Sequence, residues 1–395
     1  MISVEKAKEL ISENIKVSKT IVLPINTAIN FYLSKDIISP IEVPLFNQSA
    51  MDGYAFKYSD KEIPLTLVGE IAAGDTHVVE VQNGEAVRIF TGSKIPDSCD
   101  VVVMQELTEI VNEKLIVKDF GLKPSGNIRK KGNQLKSGDV ALKKGTQINP
   151  AAVGFLSTLG ISTAEVYALP KVTVIATGSE LQPVGTHLKE GQIYESNSQM
   201  LEAALKNLGI NSTVIVVQDN EKSIEKTIRA AMTDSDMVLI TGGISVGDYD
   251  FVKQCLINNQ VVEIFHKIKQ KPGKPMYFGT KQNTLVFALP GNPAAALSCF
   301  YIYVFPAIRI MLGNLNPFLP NLKLQLDETF IKKEGRAVFL KAVINQNKVT
   351  LLKGQDSDAL QSFAMANAIA YIPAEKQSVL AGELIDVYLL PQYIQ

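Results

Sequence analysis

Lys267, Lys269, Lys271 and Lys274 crowd into the stretch HKIKQKPGKP, where Pro272 and Pro275 bracket a short loop. In an extended segment the first three alternate and share one face, and Lys274 follows on the proline-braced turn. An ammonium group supplies compact positive charge and three hydrogen-bond donors. Holding several on a stiff loop is useful where the charge has to be placed, and the chemistry that needs this is coordination of an anion. The bland alternative is a solvated strand edge protected by lysines.

Three further strings carry the backbone chemistry of a ligand site: TGSEL (177–181), TGGISVGDYD (241–250) and LPGNPAAA (289–296). Each offers Gly or Pro where the chain must turn sharply after an apolar strand, and each leads into a helical segment whose first N–H groups favour negative charge. Thr177, Gly242, Gly243, Ser245, Pro290, Asn292 and Pro293 are the candidate ligand contacts. One such turn alone is usually only a turn; three on one sheet edge point to a site. Neither G-x-G-x-x-G nor G-x-x-x-x-G-K-[ST] occurs, so dinucleotide and P-loop readings lack their fingerprints. Glu180, Asp248 and Asp250 stand beside these loops. Carboxylates around a phosphate-like ligand commonly hold Mg²⁺, although Asp248 could instead cap the helix near 249–258.

The elements that must position these residues follow from periodicity. Between 171 and 312, apolar strands (KVTVIATG, STVIVV, DMVLITGG, TLVFALPG) alternate with helices, among them SNSQMLEAALKNLG, with Ser196 or Asn197 as N-cap, and EKSIEKTIRAAMTD. This pattern predicts a parallel sheet covered on both faces, with ligands outside the carboxyl ends of the strands. Residues 41–146 read instead as short β segments (RIFTG, DVVVMQ, EKLIVKDF, GDVALKKGTQI). Residues 147–170 read as a helix and a strand that pair with the N-terminal helix, 313–322 as a linker, and the remainder as a second β domain.

Composition bounds the function. The chain has 395 residues, long enough for two to four domains, and 39 basic against 40 acidic residues. Near-neutral charge gives no field that draws the chain to nucleic acid or an anionic membrane. Cys99, Cys255 and Cys299 are odd in number and without a C-x-x-C, which suits a reducing cytosol and a cytoplasmic protein. The apolar run AAALSCFYIYVFPAIRIML (294–312) contains Pro306 and Arg309 and reads as a buried helix rather than a membrane span.

Taken in order, SAMDGYA, RIFTGSKIP, IATGSEL, TGGISVGDYDFVK, KPGKP and ALPGNPAAAL resemble the molybdopterin molybdenumtransferase family, the bacterial MoeA proteins and the E domain of gephyrin-like relatives, across residues 3 to 390. The resemblance implies a multidomain α/β plus β architecture. Its parts are an elongated linking domain (1–43 and 140–170), an inserted β-rich domain (44–139), a three-layer αβα molybdopterin-binding domain with a parallel-rich sheet (171–315) and a C-terminal β barrel (318–395). It also implies that molybdate and adenylylated molybdopterin are substrates, that AMP is released with Mg²⁺ or another divalent cation assisting, and that a homodimer shares its clefts. Its expected partners are the preceding adenylyltransferase and downstream molybdoenzyme chaperones.

By the same resemblance Asp52, Thr91, Glu180, Asp250, Lys267 and Lys271 match positions used for activity; Arg336 and Ser357 match oxyanion contacts, and Lys274 with PGNP (290–293) the anion-coordinating loops. The chain departs from the family pattern at Ser179, at Asn133–Gln134 and at Asn220. Two competing readings are a molybdopterin adenylyltransferase and a gephyrin-like scaffold.

Overall fold

In this computed structural model, residues 1–77, 79–244, 251–333 and 335–391 are described. Ser245, Asp248 and Asp250 therefore lie outside the described residues. The centre of the molecule is a six-stranded sheet in the order Thr213–Val217, Val172–Thr177, Met237–Thr241, Thr284–Leu289, Tyr277–Lys281, Val262–His266. The first four strands run parallel. The last two are antiparallel additions, so the sheet is mixed at one edge rather than wholly parallel. The reason is local: Gln282, at φ +54, turns the chain straight back into Thr284–Leu289 as a hairpin, with no crossover helix between them.

Alternate residues of the central strands feed two cores. Val172, Val174, Met237, Leu239 and Phe287 face the helix Asn197–Lys206 and the long helical run Pro293–Met311; Ile175, Val238, Ile240 and Val286 face Glu221–Asp234 and Val252–Asn258. Burial on both faces is what the unbroken apolar strands required. Asn220 caps Glu221–Asp234 by accepting a hydrogen bond from the Ser223 N–H. The apolar run after Asn292 is long enough to cross a membrane, but 78% of its apolar window is buried in the core. Inside it, residues Phe300–Val304 form a π turn just before Pro306. The wider turn accommodates a proline that has no N–H to give.

On either side lie β structures. Gly53–Phe56 is an inner strand of a separate six-stranded sheet, between Glu85–Ile89 and Val101–Met104. A Cβ on Gly53 would stand 1.8 Å from the Val103 carbonyl oxygen, so only glycine fits there. Beyond residue 320, the strands Ala337–Asn345, Lys348–Leu351, Asn321–Leu326, Leu384–Leu389 and Ala368–Ile372 close into a five-stranded barrel, because the last pairs with the first. Residues 147–170 meet the N-terminal segment through the strand Thr20–Pro24, which pairs with Thr163–Tyr167. The first helix, Val4–Glu13, buries Val4, Ala7 and Ile11 in the α/β core instead of against residues 147–158.

Candidate functional site

The carboxyl ends of the parallel strands lie side by side, with Ala176 opposite Thr241 and Thr241 opposite Leu289. Asn197, at the start of its helix, ties the loops beyond them together. Its Nδ2 donates to Thr241 Oγ1 at 2.8 Å and to the Gly291 carbonyl at 2.6 Å. Thr241 Oγ1 in turn donates to the Pro290 carbonyl at 3.3 Å. Gly242 sits at φ +91, and a Cβ there would stand 2.9 Å from Thr177 Oγ1. Glycine allows that turn and the close approach. Thr177 Oγ1 and Asn197 Oδ1 are buried and find no partner among the described residues. Such groups carry a desolvation cost that a bound ligand can relieve.

Beside this edge opens a recess of about 460 Å³ whose lining includes Gly243, Lys271, Lys274, Pro290, Asn292, Arg336 and Ser357. Four segments distant in sequence are brought together by hydrogen bonding. Gln270–Lys271 forms a short parallel strand with Ala337–Val338, and the Ala337 N–H donates to the Lys269 carbonyl at 3.0 Å. That register leaves Arg336 one residue before the paired segment, level with Lys269, and Arg336 and Lys271 both line the recess. Asn292 Nδ2 donates to Ser357 Oγ at 2.5 Å, and the Ser357 carbonyl accepts from the Ala295 N–H at 3.0 Å. Two ammonium groups and one guanidinium thus belong to one recess, with no carboxylate among its described lining residues. Such a recess favours a compact polyanion, with the guanidinium adding a planar fork of donors.

Other candidates sit elsewhere. Lys267 does not line the recess, and the lysine run is not one extended ribbon. Lys267 takes a left-handed φ of +72, its N–H donates to the Met276 carbonyl at 2.9 Å, and its carbonyl accepts from the Ile2 N–H at 3.2 Å. This kink corrects the shared-face expectation. Glu180 is exposed just past the strand end, its carboxylate 2.9 Å from the position a Cβ on Gly178 would take. Asp52 and Thr91 meet each other, not the recess of their own chain. Asp52 Oδ1 accepts from the Thr91 N–H at 2.7 Å and from Thr91 Oγ1 at 2.8 Å, and these bonds hold its carboxyl below the usual range.

No cluster of three His, Cys, Asp or Glu residues able to hold a metal occurs among the described residues. At the departures from the family pattern, Ser179 and Asp219 exchange hydrogen bonds at 3.2 Å, and Asn220 serves as the helix cap noted above.

Sequence reasoning treated Asn197 only as a helix cap and passed over Gln270. The signal for Asn197 was its place one residue beyond a strand-to-helix turn on the ligand edge. Gln270 was the one uncharged polar residue inside the lysine run.

A multidomain chain with a mixed α/β core, two flanking β bodies and a recess lined by Lys271, Lys274 and Arg336 beside the strand ends defines a class of multidomain α/β protein with a cationic candidate ligand site. Comparison with known proteins fixes the family. Residues 2–160 match the MoeA N-terminal region (domain I and II), 173–310 the probable molybdopterin binding domain, and 323–390 the MoeA C-terminal region (domain IV). The chain is 36% identical over 407 residues to the molybdopterin molybdenumtransferase of Haemophilus influenzae, covering 98% of each chain. It is 33% identical to that of Staphylococcus epidermidis over 98% of this chain and 95% of the relative. The crystal structure of a molybdopterin biosynthesis MoeA protein from Pyrococcus horikoshii superposes with a TM-score of 0.86 at 30% identity, covering 99% of this chain and all of that one. The chain belongs to the molybdopterin molybdenumtransferase family and is an enzyme of molybdenum cofactor biosynthesis.

Proposed function

We propose that this enzyme takes adenylylated molybdopterin and molybdate, inserts molybdenum at the dithiolene sulfurs, and hydrolyses the pterin–AMP bond with release of AMP. The observation that carries the reading is the recess shared by Lys271, Lys274, Arg336, Asn292 and Ser357. Molybdate is a tetrahedral dianion, and fixed cations bind it without the entropy cost of ordering a flexible loop at each turnover. Lys271 and Lys274 supply charge from the proline-braced turn, and Arg336 donates two parallel hydrogen bonds to neighbouring oxygens. Asn292 and Ser357 orient against each other and present polar edges to the same space. The glycines at 242 and 243 let the pterin or its phosphate approach the strand ends, where Thr177 Oγ1 waits buried without a partner among the described residues.

Glu180, together with Asp248 and Asp250, supplies the hard oxygen donors that Mg²⁺ prefers, and the ion when bound would neutralise the pyrophosphate for attack by water. Asp52, kept ionised by Thr91, is a fixed negative charge that can hold or orient a proton donor near the reacting groups. Because that pair does not line its own chain's recess, we assign it to the cleft of a second copy in a homodimer. The setting is the cytoplasm, with the preceding adenylyltransferase delivering the pterin and molybdoenzyme chaperones receiving the product. Incubating the purified protein with adenylylated molybdopterin, Mg²⁺ and molybdate, and following AMP by chromatography, tests the proposal. Molybdate-stimulated AMP release together with active cofactor is the expected result; neither forming would refute it.

A further inference from the structure

Behind the exposed lysines lies a buried polar clamp. Gln270 is only 1% exposed although it stands between Lys269 and Lys271, both at the surface. Its carboxamide is fully engaged: Nε2 donates to the Pro272 carbonyl at 3.0 Å and contacts Cys299 Sγ at 3.7 Å, while Oε1 accepts from the Tyr303 hydroxyl. Tyr303 is fully buried on the long core helix. The far side of the same turn rests on that helix too, because Gly273 sits at φ +88 and a Cβ there would stand 2.3 Å from Cys299 Sγ. A buried amide of this kind carries a high penalty if its partners are lost, so the orientation of the loop is tied to the helix.

We propose that Gln270 is a positioning residue for oxyanion binding, held in one amide orientation by the Pro272 carbonyl and the Tyr303 hydroxyl, and that it sets where the Lys271 and Lys274 ammonium groups stand. The argument is geometric. Lys271 and Lys274 flank Pro272 and Gly273, so anchoring the Pro272 carbonyl and the Gly273 backbone fixes the chain on the inner side of both cations. The opposite edge is already pinned, since Gln270–Lys271 pairs with Ala337–Val338. Releasing the inner anchor lets the turn shift while the barrel pairing persists, so the cations and Arg336 no longer converge. A misplacement of about 1 Å costs on the order of 100-fold where charge must be placed.

This inference rests on the oxyanion reading of the recess, and the test separates the two. Molybdate binding is measured by isothermal titration calorimetry on the full-length protein, in parallel with binding of adenylylated molybdopterin, for Lys271→Ala, Gln270→Met and Tyr303→Phe. Gln270→Met keeps the volume and removes both hydrogen bonds; Tyr303→Phe removes a single hydroxyl and leaves the fold's packing intact. The expected result is a roughly tenfold or greater loss of molybdate affinity in all three, with pterin affinity within about twofold of the parent for Tyr303→Phe. Amide exchange at Lys274 and Met276 should also quicken in Tyr303→Phe. If Lys271→Ala leaves molybdate binding unchanged, the oxyanion reading itself fails. If Lys271→Ala abolishes it while Tyr303→Phe binds molybdate like the parent, the recess stands and the positioning role of Gln270 is overturned. Equal losses for molybdate and pterin in Tyr303→Phe would likewise overturn it, marking the clamp as merely structural.

Discussion

The two regions with the most chemistry are built in opposite ways. The cationic recess gathers Lys271, Lys274, Arg336 and Ser357 from segments up to 86 residues apart in sequence, through strand pairing and a buried amide. The Asp52–Thr91 pair is a surface device, fixed by two hydrogen bonds between neighbouring strand ends of the inserted sheet. Positive charge is thus held by pairing between separate sheets, and the Asp52 carboxylate by bonds within a single sheet. The difference teaches that the recess depends on docking of the barrel against the α/β core, whereas the carboxylate depends only on the sheet that carries it.

That contrast can be broken from its structural side first. Gly53→Ala forces a methyl group into the Val103 carbonyl between two paired strands. It is expected to destabilise the inserted sheet by about 2–3 kcal/mol in urea unfolding. Molybdate affinity of the protein that remains folded should stay that of the parent. A loss of molybdate binding in that fraction would show that the two regions are not independent.

Next in size is Arg336→Lys. It keeps the charge and removes the fork, so the molybdate KM should rise about tenfold while thermal stability hardly moves. Kinetics over a range of molybdate concentrations would show it. An unchanged KM would mean that only net charge matters in the recess.

A mixing experiment sharpens the comparison across subunits. Asp52→Asn and Lys271→Ala chains, each inactive alone, are unfolded, mixed in equal amounts and refolded together. If the cleft takes Asp52 from one chain and Lys271 from the other, half of the dimers carry one intact site and activity returns to about a quarter of the parent's. No recovery would place both residues in one chain's site.

The smallest effect concerns the joint between the first helix and the barrel. Lys8 donates to the Tyr388 hydroxyl at 3.0 Å and lies 4.6 Å from that ring's centre. Burial pulls its pKa down to about 8, against opposing help from Glu5 and Asp386. A lysine with a depressed folded pKa is protonated more readily when unfolded. The resulting penalty is therefore fully present below pH 8 and is relieved as pH rises from about 8 towards the ordinary lysine value of 10.5. Lys8→Met removes the penalty, so variant and parent should differ by roughly 1–3 kcal/mol at pH 7 and converge as pH approaches the ordinary lysine value of 10.5. Parallel denaturation curves at several pH values would reveal the convergence or its absence.

Much of this was legible in the sequence. The alternation of apolar strands and helices from 171 to 312 announces a buried sheet, and the glycine and proline loops mark its ligand edge. The turn that carries Lys271 and Lys274 was also visible. What stayed hidden depends on partners far along the chain. Gln270 flanked by lysines reads as exposed, and only the core helix 29 to 33 residues later makes it buried. The left-handed kink at Lys267 adjoins a bridge between Ile268 and Ile2 at the N-terminus, which no local pattern records. Ala368–Ile372 is a short apolar run whose role in closing the barrel appears only when it pairs with Val338–Ala342. Arg336 could be matched to a family position, but its place in one recess with Lys271 depends on a register between strands more than 60 residues apart, in which Lys271 pairs with Val338.

The central claim is that converging cations in one recess bind the oxyanion. The most direct measurement is a molybdate titration of the parent and of Lys271→Ala at low and at moderate ionic strength. The account predicts saturable binding by the parent that weakens with salt, and a loss of about 10- to 100-fold in the variant with the unfolding midpoint nearly unchanged. Equal molybdate affinity in the two proteins would contradict it.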